Sequence, residues 1–500
     1  MRAAQKILIL LVLAGCGGLS SLPANPFATQ VVRAVGPFGS SVYGNTNAVL
    51  GAPATRFYDP FAVWSGGITN PRVKLVEPAY NIAANTNGLL TPDLLLTLKV
   101  GSQIIVRFDQ PVYHRPEHPY GVDFIIFGNT FYLADSTVND LVDMSTCGLA
   151  GSSDDEPLKV SVSPGYTGLA GEVAANPDTW PWYRYDNGPY GCTVFPTQAY
   201  QWNRATASWS DTLMDFTKPV NPAMQNLIAA GGLSAADAID LYNGSGGGTG
   251  FDLSASGFSW IQYVKIDAID PNFSSGQIDA LASVRPMVVG DALTVTPENI
   301  QSNTATLYFQ KPGATDQTAL SFTFTALDAV AQITTATFTN QATMAPLPGN
   351  ILSAFQTAAV PLLQTNPVNF TANLALSVSS YTGTGGDLRL YSASGTNWVL
   401  QPAGYQATNQ QVQATWLTNL TAFVVVQITA PALSLSALPG GGRLSFTAQP
   451  GLVHTVEYST NLVNWLPVSS FTASNAQPVV ITDTARSGTA AFYRVKVSVP

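Results

Sequence analysis

Residues 114–118 read His-Arg-Pro-Glu-His, and these two histidines with His454 are the only three in the 500-residue chain. On a helix, H-x-x-E-H spacing stacks two imidazoles one turn apart with a carboxylate beside a metal-bound water, which is hydrolytic zinc chemistry. Pro116 and Pro119 oppose that geometry, because each proline removes a backbone donor and turns its predecessor away from helix. The segment also lies between two strand patterns and ends in a Tyr-Gly turn. His114 and His118 are therefore expected to project apart from a loop, with no third ligand close by. His454 alternates in phase with Val456 and Tyr458 and is expected to pack on a sheet face.

Other catalytic patterns are weaker. No G-x-S-x-G elbow marks a strand–helix junction, and three histidines leave few bases for a serine nucleophile. The run GSGGGTGFDL, residues 244–253, has a helical pattern before it and a strand after it. That order is the reverse of a phosphate cradle, so its glycines are read as serving positive φ angles. Asp154, Asp155 and Glu156 form the densest acidic cluster. Adjacent carboxylates repel, and a calcium ion with oxygen ligands would relieve that, whereas a solvated acidic turn needs no ion. Asp123, Asp252, Asp267 and Asp279 stand near strand ends, where Asp commonly accepts turn amides.

The densest aromatic stretch is NPDTWPWYRYDNGPYGC, which holds Trp180, Trp182, Tyr183, Tyr185 and Tyr190, with Tyr200, Trp202 and Trp209 following. Flat rings with polar tips stack on sugar rings, and loops at the rim of a sandwich are where binding sites form. The same rings would equally serve as a small core for a long insertion stapled by Cys192.

The elements that must hold these residues are strands. Charged residues make up 10% of the chain, well below the roughly 25% of ordinary domains, and uncharged polar residues take their place. The net charge of −9 and the lack of a basic run leave nothing to neutralise phosphates, which excludes nucleic acid as a partner. Ile104, Val106 and Phe108 alternate with polar neighbours, as do Leu158, Val160 and Val162, while VDFIIF is a continuous apolar run that reads as a buried central strand. One helical insertion opens at Asn221-Pro222 and stops at Gly231-Gly232, and a second helix capped by Ser234 ends near Asn243-Gly244. After ASVRPM the texture changes to Thr-, Ala- and Gln-rich strands, and a third pattern begins past Pro431. The chain is expected to be all-β and multidomain, with units at 30–287, 288–430 and 431–500.

The N-terminus pairs a basic MRAAQK with the apolar ILILLVLAG, too short for a membrane span, and reaches Cys16 as Leu-Ala-Gly-Cys. This is similar to a lipobox, which makes residues 1–15 a signal peptide, Cys16 a lipid anchor and 16–29 a tether; ordinary cleavage near Ala24 is the alternative. Either route exports the protein. In an oxidising compartment Cys147 and Cys192 would most simply pair, stabilising the fold by about 4 kcal/mol, and two buried thiols are the alternative.

Several stretches together, PFATQVV with AVLGAP, HPYGVDFIIFGNTF, FTKPVNP, AIDLYNGSGGGTGFDL and WIQYVKI, resemble a family of secreted bacterial surface proteins associated with PEP-CTERM sorting. The resemblance spans about residues 26–287 and implies a jelly-roll or discoidin-like β-sandwich, here with a short helical insertion and two smaller β-sandwich domains after it. The last unit, with VEYSTNLVNWLPV and AAFYRVKV, resembles a small C-terminal β-domain common in such proteins. The sequence ends in KVSVP without the hydrophobic sorting tail of those relatives, which leaves the N-terminal lipid as the expected membrane link.

The resulting expectation is a non-catalytic, exported protein of the bacterial outer membrane, cell surface or extracellular space. It binds a glycan or other surface polymer through Trp180, Trp182, Tyr183, Tyr185, Tyr190 and Trp202, with Asp154, Asp155 and Glu156 as the site for any calcium. A structural, self-associating matrix component is the alternative reading, and a carbohydrate-active enzyme with an unrecognised carboxylate pair is a third.

Overall fold

The computed structural model describes residues 25–500 apart from 56–71, 77–93, 136–139, 269–274, 315, 340–343, 345–346, 348, 429–430, 439–440, 485–490 and 499–500. The signal segment and the lipid-anchor position Cys16 lie outside the described residues. Strands account for 48% of the chain and helix for 8%, so the protein is all-β.

The first unit is two antiparallel sheets packed face to face. One sheet runs, in spatial order, Ala28–Val35, Gln103–Tyr113, Trp260–Asp267, Lys159–Ser163 and Tyr183–Arg184; the other runs Thr249–Phe251, Phe124–Gly128, Ser275–Ser283 and Leu96–Lys99. Ile104, Val106, Val264, Ile266 and Val160 from the first sheet meet Phe124, Ile126, Ile278 and Leu281 from the second. Every residue of Phe124–Gly128 is buried, which explains its unbroken apolar sequence. Phe124 and Ile126 face the sandwich core, while Ile125 and Phe127 face a second core shared with the next unit.

The helical insertion closes one flank. Ser234 caps Ala235–Tyr242 in a reciprocal pair with Asp237, and the helix ends at Asn243 in the left-handed region. Asn221 lies outside the preceding helix, Met224–Ala229, but its side chain still accepts the Ala223 amide at 3.1 Å.

The second unit pairs a sheet ordered Ala292–Val295, Ala331–Thr337, Asn350–Pro361, Ala422–Gln427, Leu388–Ser394 and Asn397–Gln401 with one ordered Thr306–Gln310, Thr318–Leu327, Phe370–Ser377, Gln411–Leu417 and Gly404–Gln406. The third is smaller, with Ser434–Leu438, Gly441–Thr447 and Pro478–Asp483 opposite Leu466–Thr472, Val453–Ser459 and Phe492–Ser498. No described sheet draws strands from two of these units.

The first two units are nevertheless not independent beads. Ile125, Phe127, Ala280 and Ala282 belong to the same buried cluster as Leu293, Phe309 and Phe322. Across that joint the Tyr120 hydroxyl donates to Thr294 O at 2.9 Å and accepts the Thr294 amide at 3.1 Å. The two buried amides of Asn221 and Asn299 also exchange hydrogen bonds, at 2.7 and 3.0 Å.

Candidate functional site

The HRPEH loop does not splay its histidines. Its turn, with Tyr120 at φ 59° and Gly121 at φ 77°, folds the loop back over Asp123. His118 Nδ1 lies 2.8 Å from Asp123 Oδ1 and His114 Nδ1 lies 3.0 Å from Oδ2. The expectation that the two rings project apart is therefore corrected: a turn rather than a helix brings them to one buried carboxylate. Asp252 Oδ1 is a further 3.8 Å from His114 Nδ1, and His114, Asp123 and Asp252 are grouped closely enough in ligand atoms to be compared with a metal site. Asp123, however, also accepts the Arg115 amide at 3.1 Å and the Leu253 amide at 2.9 Å. Four donors fill its four lone-pair positions, so a cation there would have to displace at least one of them. The arrangement is a hydrogen-bonded hub that fixes the loop. Glu117 leaves this hub: with burial, its charge raises the phenol of Tyr308 in the second unit.

His454 is wholly buried in the third unit. Its Nε2 accepts the Gln449 amide at 3.0 Å, its Nδ1 faces Leu452 O at 3.1 Å, and its ring stacks with Phe446 and Phe471. Burial lowers its pKa and favours the neutral ring.

The glycine-rich run serves packing. A Cβ on Gly247 would meet Pro196 O at 2.2 Å, and one on Gly248 would meet Ile125 Cγ2 at 2.5 Å, both at φ +85°. At these two positions, directly before Thr249–Phe251, no side chain fits.

The aromatic insertion is largely consumed by the fold. Trp180 is 8% exposed, leans on Tyr263 and donates Nε1–H to Val173 O at 3.1 Å. Tyr185 and Trp202 are buried, the first edge-on to Tyr183 and Phe251, the second edge-on to Trp209. Trp182 and Tyr190 are half-buried, with Lys265 Nζ 4.4 Å from one ring centroid and Lys159 Nζ 4.6 Å from the other. Among these six, no ring is exposed as an open platform.

The acidic run does not converge either. Asp155 accepts the Thr130 hydroxyl at 2.8 Å, Asp154 closes an exposed strand against Phe131, and Glu156 turns inward towards Cys192. Among the described residues these three carboxylates form no metal-sized group. Cys147 and Cys192 are not bonded to each other. The disulfide expectation is corrected by their placement, because Cys192 belongs to the core of the first sandwich and Cys147 to the helix-lined cluster beside it. Around Cys192 lies a nest of buried ionisable groups. Burial lowers Lys74 to about 8, raises Asp279 to about 7 and the Cys192 thiol to about 12, and raises Glu156. Each is pushed towards its neutral form.

The most exposed aromatic side chain among the described residues lies elsewhere. Trp416 is 73% exposed and is the only exposed tryptophan among the described residues. It sits in a bulge of Gln411–Leu417, where the register with Phe370–Ser377 shifts between Leu374↔Ala414 and Ala372↔Leu417. Its φ of 62° is left-handed, a conformation that costs a bulky L-residue roughly 1–2 kcal/mol. The ring borders a groove of about 340 Å³ with Ser392, Ser394, Gln401, Thr418 and Asn419. Its neighbour Thr415 borders a second groove, about 380 Å³, on the five-stranded sheet with Thr306, Tyr308, Asn373, Gln411 and Gln413. No charged side chain lines either groove. The side chains of Thr418, Asn419, Gln411 and Gln413 make no hydrogen bonds to the described protein, so their donors and acceptors stay available.

No protein-family model, curated protein or solved structure matches this chain.

Proposed function

We propose that the protein is an exported, non-catalytic surface protein that binds an uncharged glycan on its second sandwich. The observation that carries this reading is Trp416: an exposed indole held by a strained bulge between two grooves lined by hydroxyls and amides. A neutral sugar presents an apolar ring face for the indole and hydroxyls for the polar lining. Neither groove contains a carboxylate, so neither holds the acid pair that glycoside hydrolysis needs. The earlier reading through Trp180 and its neighbours moves to this site because those rings are packed. In this proposal the binding face lies outside the cell, a reading supported by the lipobox-like approach to Cys16 and by the resemblance of residues 26–287 to secreted surface proteins.

A glycan array probed with the purified chain tests it. Wild type is expected to retain neutral oligosaccharides, with binding at least tenfold weaker for Trp416→Ala. Equal binding by the variant moves the site away from the groove, and no binding by either folded protein removes the reading.

A structural role is the second reading, favoured by the third unit. Leu435, Leu466, Val480 and Phe492 are exposed, and all four lie on strands at the edges of its sheets. Such edges template pairing between copies. Sedimentation velocity across a concentration series separates the two, since glycan binding requires no self-association.

A further inference from the structure

Between the first and second sandwiches lies a cavity of about 620 Å³, bounded by the end of Gln103–Tyr113, the HRPEH loop and the turn after Gln310. That volume suits a ligand of one or two sugar rings. The lining carries Arg115 and Lys311 against a single acid, Asp316, a locally positive spot on a chain of net charge −9. The Lys311 ammonium makes no hydrogen bond or ion pair with a described partner. Arg115 commits one nitrogen to Asp316 and rests 5.5 Å from the half-exposed Tyr113 ring, leaving further N–H donors. His118 also lines the space, only 5% exposed, and Asp123 holds its Nδ1. Its Nε2 has no protein partner among the described residues. That nitrogen is not sealed from solvent, so a ligand or water entering the cavity can meet it.

We propose that this cavity is a second binding site, taking a ring-sized ligand that bears a carboxylate, such as a uronic acid. Arg115 and Lys311 meet the carboxylate, His118 Nε2 accepts a ring hydroxyl, and Tyr113 offers an apolar face. Without ligand, the Asp316 carboxylate occupies the guanidinium in the ligand's stead, held in a left-handed turn at φ 65°. A guanidinium favours carboxylates through paired, planar hydrogen bonds, so an incoming acid displaces Asp316.

The site is independent of the Trp416 groove, and titration calorimetry on the full chain distinguishes them. Galacturonate, glucuronate and mannuronate are compared with galactose, glucose and mannose, and with polygalacturonate. At least one uronate is expected to bind tenfold or more tighter than its neutral counterpart, and more weakly as salt rises. Arg115→Gln should abolish the preference, and Trp416→Ala should leave it intact. Asp316→Asn should tighten binding threefold or more, since the internal competitor is gone; a purely structural ion pair predicts the reverse. Binding of the polymer but not the monosaccharides assigns an acidic polysaccharide as the source, and binding of both admits free sugar acids. Equal affinity for acidic and neutral sugars, no binding of any uronate or of polygalacturonate, or weaker binding by Asp316→Asn overturns the proposal.

Discussion

Trp416 donates its backbone N–H to the side-chain oxygen of Asn373 at 3.3 Å, on the neighbouring strand. The contact lies within the bulge, where Thr415 and Trp416 together face Asn373. A bulge inserts an extra residue and re-aims the side chains around it. Here it presents an indole to solvent beside one polar groove, while its neighbour Thr415 borders the other.

Because the strain at Trp416 is local, Trp416→Gly should separate binding from stability. Glycine adopts the left-handed bulge freely and little burial is lost, so the thermal midpoint should fall by no more than about 2 °C. Glycan affinity should drop tenfold or more, about 1.4 kcal/mol. Scanning calorimetry beside a binding titration checks both. A collapse in midpoint would instead make the indole a structural element.

Asp123 is expected to be among the most sensitive positions outside the apolar cores. Replacing it with Ala strands two histidine donors and two backbone amides, one of each fully buried and the others part-buried, which should cost about 3 kcal/mol. Urea denaturation of the variant measures this. The same substitution should loosen His118 and weaken any uronate binding in the adjoining cavity.

The buried nest around Lys74 sets a pH dependence of defined sign. Asp279 folded titrates near 7 against 3.8 unfolded, so between those values the native state holds more protons and stability falls as pH rises. Lys74 folded titrates near 8 against 10.5, so the unfolded state holds more protons in that window and stability rises with pH. Asp279→Asn should flatten the first slope, and Lys74→Met the second. Denaturation midpoints at pH 5, 7.5 and 10 resolve the two, and unchanged slopes in the variants would assign the dependence to other groups.

With Cys147 and Cys192 buried in different clusters, reductant should leave the thermal midpoint unchanged. In a Cys16→Ser background, a thiol reagent should count two thiols after denaturation and almost none before. Fewer than two under denaturing, non-reducing conditions would show that the pair oxidises after all.

What sequence alone determined was the strand content and its local punctuation. Period-two runs such as Ile104–Val106–Phe108 turned inward, the two-sided apolar VDFIIF became an interior strand, and Ser234 and Asn243-Gly244 bounded their helix. These depend on side-chain polarity and on the φ preferences of single residues, which act over a few positions. Tertiary structure decided the sites. Alternation from Val412 and Ala414 would carry Trp416 into the core, and only the bulge against Asn373 turns it out. Prolines kept HRPEH from forming a helix and the local turn at Tyr120-Gly121 set Asp123 between both rings, yet only the long-range fold placed Leu253 and Asp252 beside it. The tryptophans and tyrosines near residue 180 looked available because composition does not reveal what covers a ring; Tyr263, Val173, Lys265 and Lys159 cover or engage them. Burial is a property of the packed whole, and function here depends on which few polar and aromatic groups the packing leaves uncovered.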